Sequence, residues 1–226
     1  TPACAGGTSA MTSNLIRIGD NPGAALSAAV AELRSGAVVV VPTDTVYGLA
    51  ALVDDADAVA DLFERKGRPA HKRVAVLVAD VEQARRVVDP GPGFDRLVER
   101  FWPGPLTLVC RRAPGFGAWL GDDLDTVAVR CPGHDLTRAL ASEVGPLAAT
   151  SANRSGGDNP VSAVAAGEAV GGGLLVLDGG ECGTDASTVL DLVSEPARVL
   201  RRGAITETSI TDAGLSLDVE QGSDDR

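Results

Sequence analysis

The chain has 226 residues, 44% of them apolar and only 3% aromatic, enough for one domain with a real core. No run approaches the roughly 20 apolar residues of a membrane helix, and its 27 glycines and 13 prolines show no period, so membrane-spanning, collagen-like and low-complexity classes are excluded. Thirty-one acids against 20 bases leave a net charge of −11, a poor match to a long nucleic-acid track, yet the only two lysines, Lys66 and Lys72, lie close together.

Residues 1–10 are small, polar and aperiodic, and they read as an extension ahead of Met11, the single methionine. Asn21-Pro22 marks a helix start, Leu26, Ala29, Val30 and Leu33 recur at helical spacing, and Gly36 ends the run. Val38 to Val41 is a β-branched run bounded by Gly36 and Pro42, which predicts a strand buried on both faces. A helix is expected from about Ala56 to Arg65 and a strand over 74–79. Further helices are expected near 82–88, 93–101 and 134–144, and strands near 106–111, 126–130, 147–150, 174–177, 188–193 and 198–201. Strands alternating with helices predict one α/β domain over 11–205 with a largely covered sheet. From Thr206 six acids stand against one Arg, and 206–226 is expected to be an acidic, disordered tail.

Cys4, Cys110, Cys131 and Cys182 form no CxxC pair, and His71 and His134 are isolated. Neither a zinc site nor a disulfide framework is indicated, so reduced thiols in a cytoplasmic protein are expected. No phosphate-binding glycine motif and no Gly-x-Ser-x-Gly elbow is present, and Gly171-Gly172-Gly173 precedes a strand, as a turn does.

The informative segments lie at strand ends. Pro42-Thr43-Asp44-Thr45-Val46-Tyr47-Gly48-Leu49 follows the valine run and holds two hydroxyls, a carboxylate and the only Tyr, where an open α/β sheet usually carries its site. The plainer alternative is a Thr/Asp turn that caps the next element. Arg65-Lys66-Gly67-Arg68-Pro69-Ala70-His71-Lys72-Arg73 crowds five bases into a loop; it reads either as a solvated basic face or as a seat for a polyphosphate. Phe101-Trp102-Pro103-Gly104-Pro105-Leu106-Thr107 reads best as a stiff packing turn. Thr126 to Arg130 ends in a lone cation before Cys131-Pro132. Ala149-Thr150-Ser151-Ala152-Asn153-Arg154-Ser155-Gly156-Gly157, Ser187-Thr188 and Arg201 add hydroxyls, an amide and a further cation at strand boundaries. Such a set binds and orients anions; it does not suggest covalent catalysis.

Taken in order, Pro-Thr-Asp-Thr-Val-Tyr-Gly-Leu, Lys-Gly-Arg-Pro, Trp-Pro-Gly-Pro-Leu-Thr, Val-Ala-Val-Arg-x-Pro and Ser-Ala-Asn-x-Ser-Gly resemble the YrdC/TsaC family of threonylcarbamoyl-AMP synthases, from about Ile16 to Ile205. The resemblance implies a twisted, mixed or mostly parallel sheet flanked by helices, with a positively charged cleft, in the short, single-domain form. It implies that L-threonine, bicarbonate or CO2, and ATP yield threonylcarbamoyl-AMP and pyrophosphate. A separate tRNA threonylcarbamoyl-transferase complex then uses that product. It further implies that Lys66, Arg68, Ser151 and Asn153 form the catalytic signature. Thr45, Arg130 and Ser187 would meet threonine, while Lys66, Arg68, Lys72, Thr126, Ser151, Asn153 and Arg201 would meet ATP. Mg2+ would be held mainly by phosphate oxygens and water, with Asp44 a candidate for its hydration shell. Arg73-Val74 and Leu77-Val78 depart from the family pattern, which has Pro-Leu at the first position and, in some members, a His near the second.

Two other readings stand beside this one. An RNA-binding module of the same fold would use the basic loop for a weak RNA contact, against the acidic balance of the chain. A carbamoyl-transfer domain of the hydrogenase-maturation type would carry upstream segments that this sequence does not contain.

Overall fold

The computed structural model describes residues 14–67, 74–117, 120 and 125–218. In chain order the elements are β1 (Asn14–Arg17), α1 (Pro22–Arg34), β2 (Val39–Val41), β3 (Gly48–Leu52), α2 (Ala56–Lys66), β4 (Ala75–Leu77) and α3 (Val81–Val87). They continue with β5 (Val88–Asp89), α4 (Phe94–Phe101), β6 (Leu106–Arg112), β7 (Thr126–Arg130), α5 (Asp135–Val144) and β8 (Leu147–Ser151). The last are α6 (Ala163–Ala169), β9 (Leu175–Asp178), β10 (Thr188–Asp191), β11 (Arg198–Arg201) and α7 (Glu207–Asp212). The start of α1 is as expected: Asn21 Oδ1 accepts from Ala24 N at 3.0 Å, with Pro22 at the first helical position. No helix among the described residues is long and apolar enough to cross a membrane.

One sheet runs β1-β9-β2-β3-β8-β4-β7-β6-β10-β11, with β5 on β6. The pairs β1/β9, β2/β9, β4/β7 and β6/β10 are parallel, and the rest are antiparallel. Of the two forms expected, mixed or mostly parallel, the sheet takes the first. The reason is local: β2 and β3 are joined only by residues 42–47, too short for the crossover of about a dozen residues that parallel neighbours need.

The two faces of the sheet are covered differently. One face, with Val76, Val127, Val129, Leu106, Leu108 and Leu190, belongs to the larger core. On the other, the smaller core packs Leu33 of α1 and Leu140 of α5 over Val39, Val41, Leu147, Leu175 and Leu177. That helical cover lies over the strands from β9 to β8. Further along the same face Ala75, Ala128 and Val189 are half-buried, and their small or short side chains floor a trough.

The chain beyond Ile205 corrects the expected tail. Thr206 caps α7 by accepting from Ser209 N at 3.1 Å, and Ile210 is fully buried. Ala197 N then donates to Ser216 O at 3.2 Å and Asp218 N to Ala197 O at 2.8 Å, while Leu215 and Leu217 pack on the larger core. The acid count concealed these apolar positions, whose burial offsets the cost of ordering the segment. Residues 1–13 and 219–226, which include the rest of that tail, lie outside the described residues. Cys110 and Cys131 are buried free thiols, pushed up by burial to about 12 and about 11 respectively, and Cys182 is half-buried and free.

Candidate functional site

The loop after β2 is organised by a hydroxyl. Thr43 Oγ1 donates to Val46 O at 2.6 Å and accepts from Val46 N at 3.1 Å, closing a tight turn. Since its one proton goes to Val46, the 3.0 Å contact with Thr45 Oγ1 takes its proton from Thr45. Tyr47, with no exposed surface, donates to Gly180 O at 2.5 Å and accepts from Gly179 N at 3.2 Å, so the loop is tied to the end of β9. Burial pushes this phenol up to about 12.

Arg130, at the end of β7, is held in three directions. Nε donates to Gly104 O at 3.0 Å, Nη1 to Thr45 Oγ1 at 2.8 Å and Nη2 to Asp44 Oδ1 at 2.6 Å. Asp44 Oδ1 also accepts from Gly133 N at 2.7 Å. A guanidinium has five N–H donors, so one is left on each terminal nitrogen, a fork suited to a carboxylate. Burial pulls the Arg130 pKa down and Asp44 opposes that pull. The Trp-Pro-Gly-Pro turn does more than pack. Trp102 Nε1 donates to Leu106 O at 2.7 Å and Gly104 N to Cys131 O at 2.9 Å, which aims the Gly104 carbonyl at Arg130. A Cβ on Gly104 would stand 2.4 Å from Phe101 O, so this turn needs glycine.

A second group forms where β6, β10 and β11 adjoin. Arg201 Nε donates to Ser187 O at 3.0 Å and Nη2 to Ser187 Oγ at 2.9 Å, while Ser187 Oγ and Thr107 Oγ1 share a hydrogen bond of 2.8 Å. The third group joins α2 to the end of β8. Lys66 is the last residue of α2, where the helix dipole favours a cation, and Gly67 at φ 59° turns the chain away. Its Nζ is carried inward and donates to Ser151 O at 2.6 Å, Ser151 Oγ at 2.8 Å and Asn153 Oδ1. Ser151 Oγ in turn donates to Asn153 Oδ1 at 2.7 Å, and Asn153 Nδ2 to Gly157 O.

These three groups border one cleft of about 430 Å³ on the uncovered half of the sheet, and Thr45, Arg130, Ser151, Asn153, Ser187 and Arg201 all line it. Lys66 stands behind Ser151 and Asn153. Thr126 shares the face of Ala128 and Arg130 by strand alternation, one step beyond the lining. Arg68 and Lys72 lie outside the described residues. The lining that the described residues provide contains no His, Cys, Asp or Glu, and among them no group of three such side chains is placed to hold a metal ion. Asp44, a candidate for the Mg2+ hydration shell, accepts from Arg130 and Gly133 through Oδ1. Sequence reasoning missed Gly104, Thr107 and the Asp44–Arg130 pair. Gly104 acts through its carbonyl, which leaves no mark in residue type, whereas Thr107 was visible as the one hydroxyl of its strand.

Comparison with known proteins bears on this cleft. The family model Sua5_yciO_yrdC, described as telomere recombination, matches residues 31–203. A Bacillus subtilis protein named threonylcarbamoyl-AMP synthase is 38% identical over 206 residues, which is 89% of this chain and 60% of that protein. A relative from Mycobacterium tuberculosis strain H37Rv is 41% identical over 187 residues, 81% of this chain and 86% of its own. The crystal structure of P. abyssi Sua5 complexed with L-threonine superposes with a TM-score of 0.80 at 36% identity, covering 92% of this chain and 62% of that one. The chain thus spans less than two thirds of the B. subtilis and P. abyssi proteins.

Proposed function

The chain belongs to the Sua5/YciO/YrdC family, and from that premise we propose that it makes threonylcarbamoyl-AMP from L-threonine, bicarbonate or CO2, and ATP, releasing pyrophosphate. The observation that carries this reading is the meeting of two buried cations, Arg130 and Lys66, with Arg201 and six hydroxyls around a cleft whose described lining holds no nucleophilic thiol or imidazole. Such a site positions anions and neutralises charge, which is what substitution at a phosphorus centre chiefly requires.

The threonine amine and bicarbonate give a carbamate and water. A carbamate oxygen then attacks the α-phosphorus of ATP, and the bond to pyrophosphate breaks. In this reading the two remaining Arg130 donors grip the threonine carboxylate. Thr45, whose proton goes to Thr43, offers a lone pair to the ammonium side, and Ser187 stands across from them. A triphosphate oxygen competes with Asn153 Oδ1 for the Lys66 protons, which draws Ser151 and Asn153 into the same anion site. Arg68 and Lys72 extend that charge along the phosphates, while Thr126 and Arg201 border the nucleotide. Any Mg2+ that accompanies ATP would be held mainly by phosphate oxygens and water, where it would help neutralise the triphosphate charge. The domain acts in the cytoplasm and passes its product to a tRNA threonylcarbamoyl-transferase complex.

The test is pyrophosphate release with each substrate omitted in turn. Release that requires threonine, bicarbonate and ATP together is expected, and release that ignores threonine overturns the reading. Salt-sensitive RNA binding without ATP turnover would favour an RNA-binding module instead.

A further inference from the structure

Thr107 has been given no ligand so far, yet its surroundings single it out. On β6, Leu106, Leu108 and Cys110 face the larger core while Thr107 and Val109 face the cleft. The floor around Thr107 is otherwise Ala75, Ala128, Val109 and Val189, where a valine would pack as well and a buried hydroxyl is costly unless it is satisfied. Thr107 is only 3% exposed and Ser187 only 4%.

Register places it between the two cationic groups. Leu108 pairs with Val129 across β6 and β7, and one further step sets Thr107 opposite Arg130 on the same face. On its other side Thr107 pairs with Val189 of β10, two residues beyond Ser187, so both hydroxyls share that face. Proton counting adds direction. The Thr107 and Ser187 hydroxyls carry one proton each, their mutual hydrogen bond uses one, and among the described residues the other has no acceptor. Arg201 donates to Ser187 Oγ, which polarises Ser187 as the donor to Thr107 and leaves the Thr107 proton for a ligand.

We infer that Thr107 is a further substrate-contacting residue, its hydroxyl donating to a carboxylate-type oxygen of bicarbonate and of the carbamate formed from it. The inference rests on the synthase reading. With the threonine carboxylate on Arg130, the carbamate carbon lies three bonds away, about 3–4 Å by standard bond lengths. The backbones of Arg130 and Thr107 are one strand spacing apart, about 4.8 Å, with both side chains on one face. A hydroxyl on this neighbouring strand is placed for the carbamate, while Lys66 with Ser151 of β8 lies on the opposite side of β7.

The test is Thr107→Val, which keeps shape and removes the hydroxyl, with pyrophosphate release followed as each substrate is varied. The KM for bicarbonate should rise about tenfold or more, as for loss of a hydrogen bond to a charged group, while those for threonine and ATP stay within about twofold. Thr107→Ser should restore the bicarbonate KM. An unchanged bicarbonate KM, or an equal rise in all three, overturns the inference while wild-type activity leaves the synthase reading standing. A wild type that shows no bicarbonate-dependent release sinks both. Should Thr107→Val fail to fold, by its thermal melt, Thr107→Ala is read by the same criteria.

Discussion

Arg130 and Lys66 are both buried cations beside one cleft, and their described partners differ in kind. Arg130 is gripped by the carboxylate of Asp44 together with a hydroxyl and a carbonyl. The partners described for Lys66 Nζ are neutral dipoles, those of Ser151 and Asn153. A charge held by a counter-ion in a dry pocket is locked in geometry, since breaking the pair leaves one ion stranded. An ammonium held by dipoles can exchange one acceptor for another at modest net cost, because hydrogen bonds to neutral groups differ little among themselves. In the proposed reaction the first arrangement serves as a fork for a carboxylate and the second as an exchangeable seat for phosphate oxygens. The difference teaches that burial alone does not define what a cation does; the kind of partner does.

The contrast breaks most visibly at Asp44. Asp44→Ala strands Arg130 in its pocket and should cost about 3–5 kcal/mol of folding stability, read as a lower Tm and urea midpoint. A loss under about 1 kcal/mol would show that the pair is no lock. Next comes Lys66→Ala. ATP affinity should fall by about tenfold or more while threonine affinity holds, measured by titration of each ligand alone, as for loss of charge-assisted hydrogen bonds. Unchanged nucleotide binding would remove Lys66 from the phosphate seat.

Smaller effects sharpen the rigid side of the comparison. Tyr47→Phe removes the tie to Gly179 and Gly180 and should cost about 1 kcal/mol, with ATP affinity unaffected. The Tyr47 phenol is raised from 10 to about 12 in the folded protein, so it contributes stability that is whole below pH 10 and is lost as pH rises toward about 12. Denaturation curves across that window should be flatter in the Phe variant, although Cys110 and Cys131 add a slope of the same sign. His134 behaves oppositely. Burial holds its pKa below the ordinary 6.5 against the pull of Asp135 and Asp44, so its contribution is present above pH 6.5 and is lost on acidification below it. His134→Gln should remove that acid-side loss, and an unchanged acid slope would assign it to other groups.

Most helix starts were legible because caps act locally: Asn21 before Pro22 and Asp55 before Ala56 each accept from a first-turn N–H. The strand β3, and the helix α6 with its Ser162 cap, were harder. Gly48–Leu52 was absorbed into a motif, and the alanine-rich Ala163–Ala169 has little periodic contrast. Of the site, Thr45, Arg130, Ser151, Asn153, Ser187 and Arg201 were named from strand-end position and from family resemblance, and all reach the cleft. That Asp44 pairs with Arg130 could not be read from sequence, since 86 positions separate the two.

Local sequence was enough for the α/β class, the chain positions of most elements and the residue types available for anion binding, because these depend on period, caps and side-chain chemistry over a few neighbouring residues. Only the tertiary structure decided that the sheet is mixed, that α1 and α5 cover half of one face, and which cation faces which partner. It also decided that Thr107 stands opposite Arg130 and that the acidic segment after Ile205 folds onto the core through Ile210. The physical reason is common to all of these: they depend on long-range register and on burial summed over distant segments, and neither is expressed in any short stretch of chain.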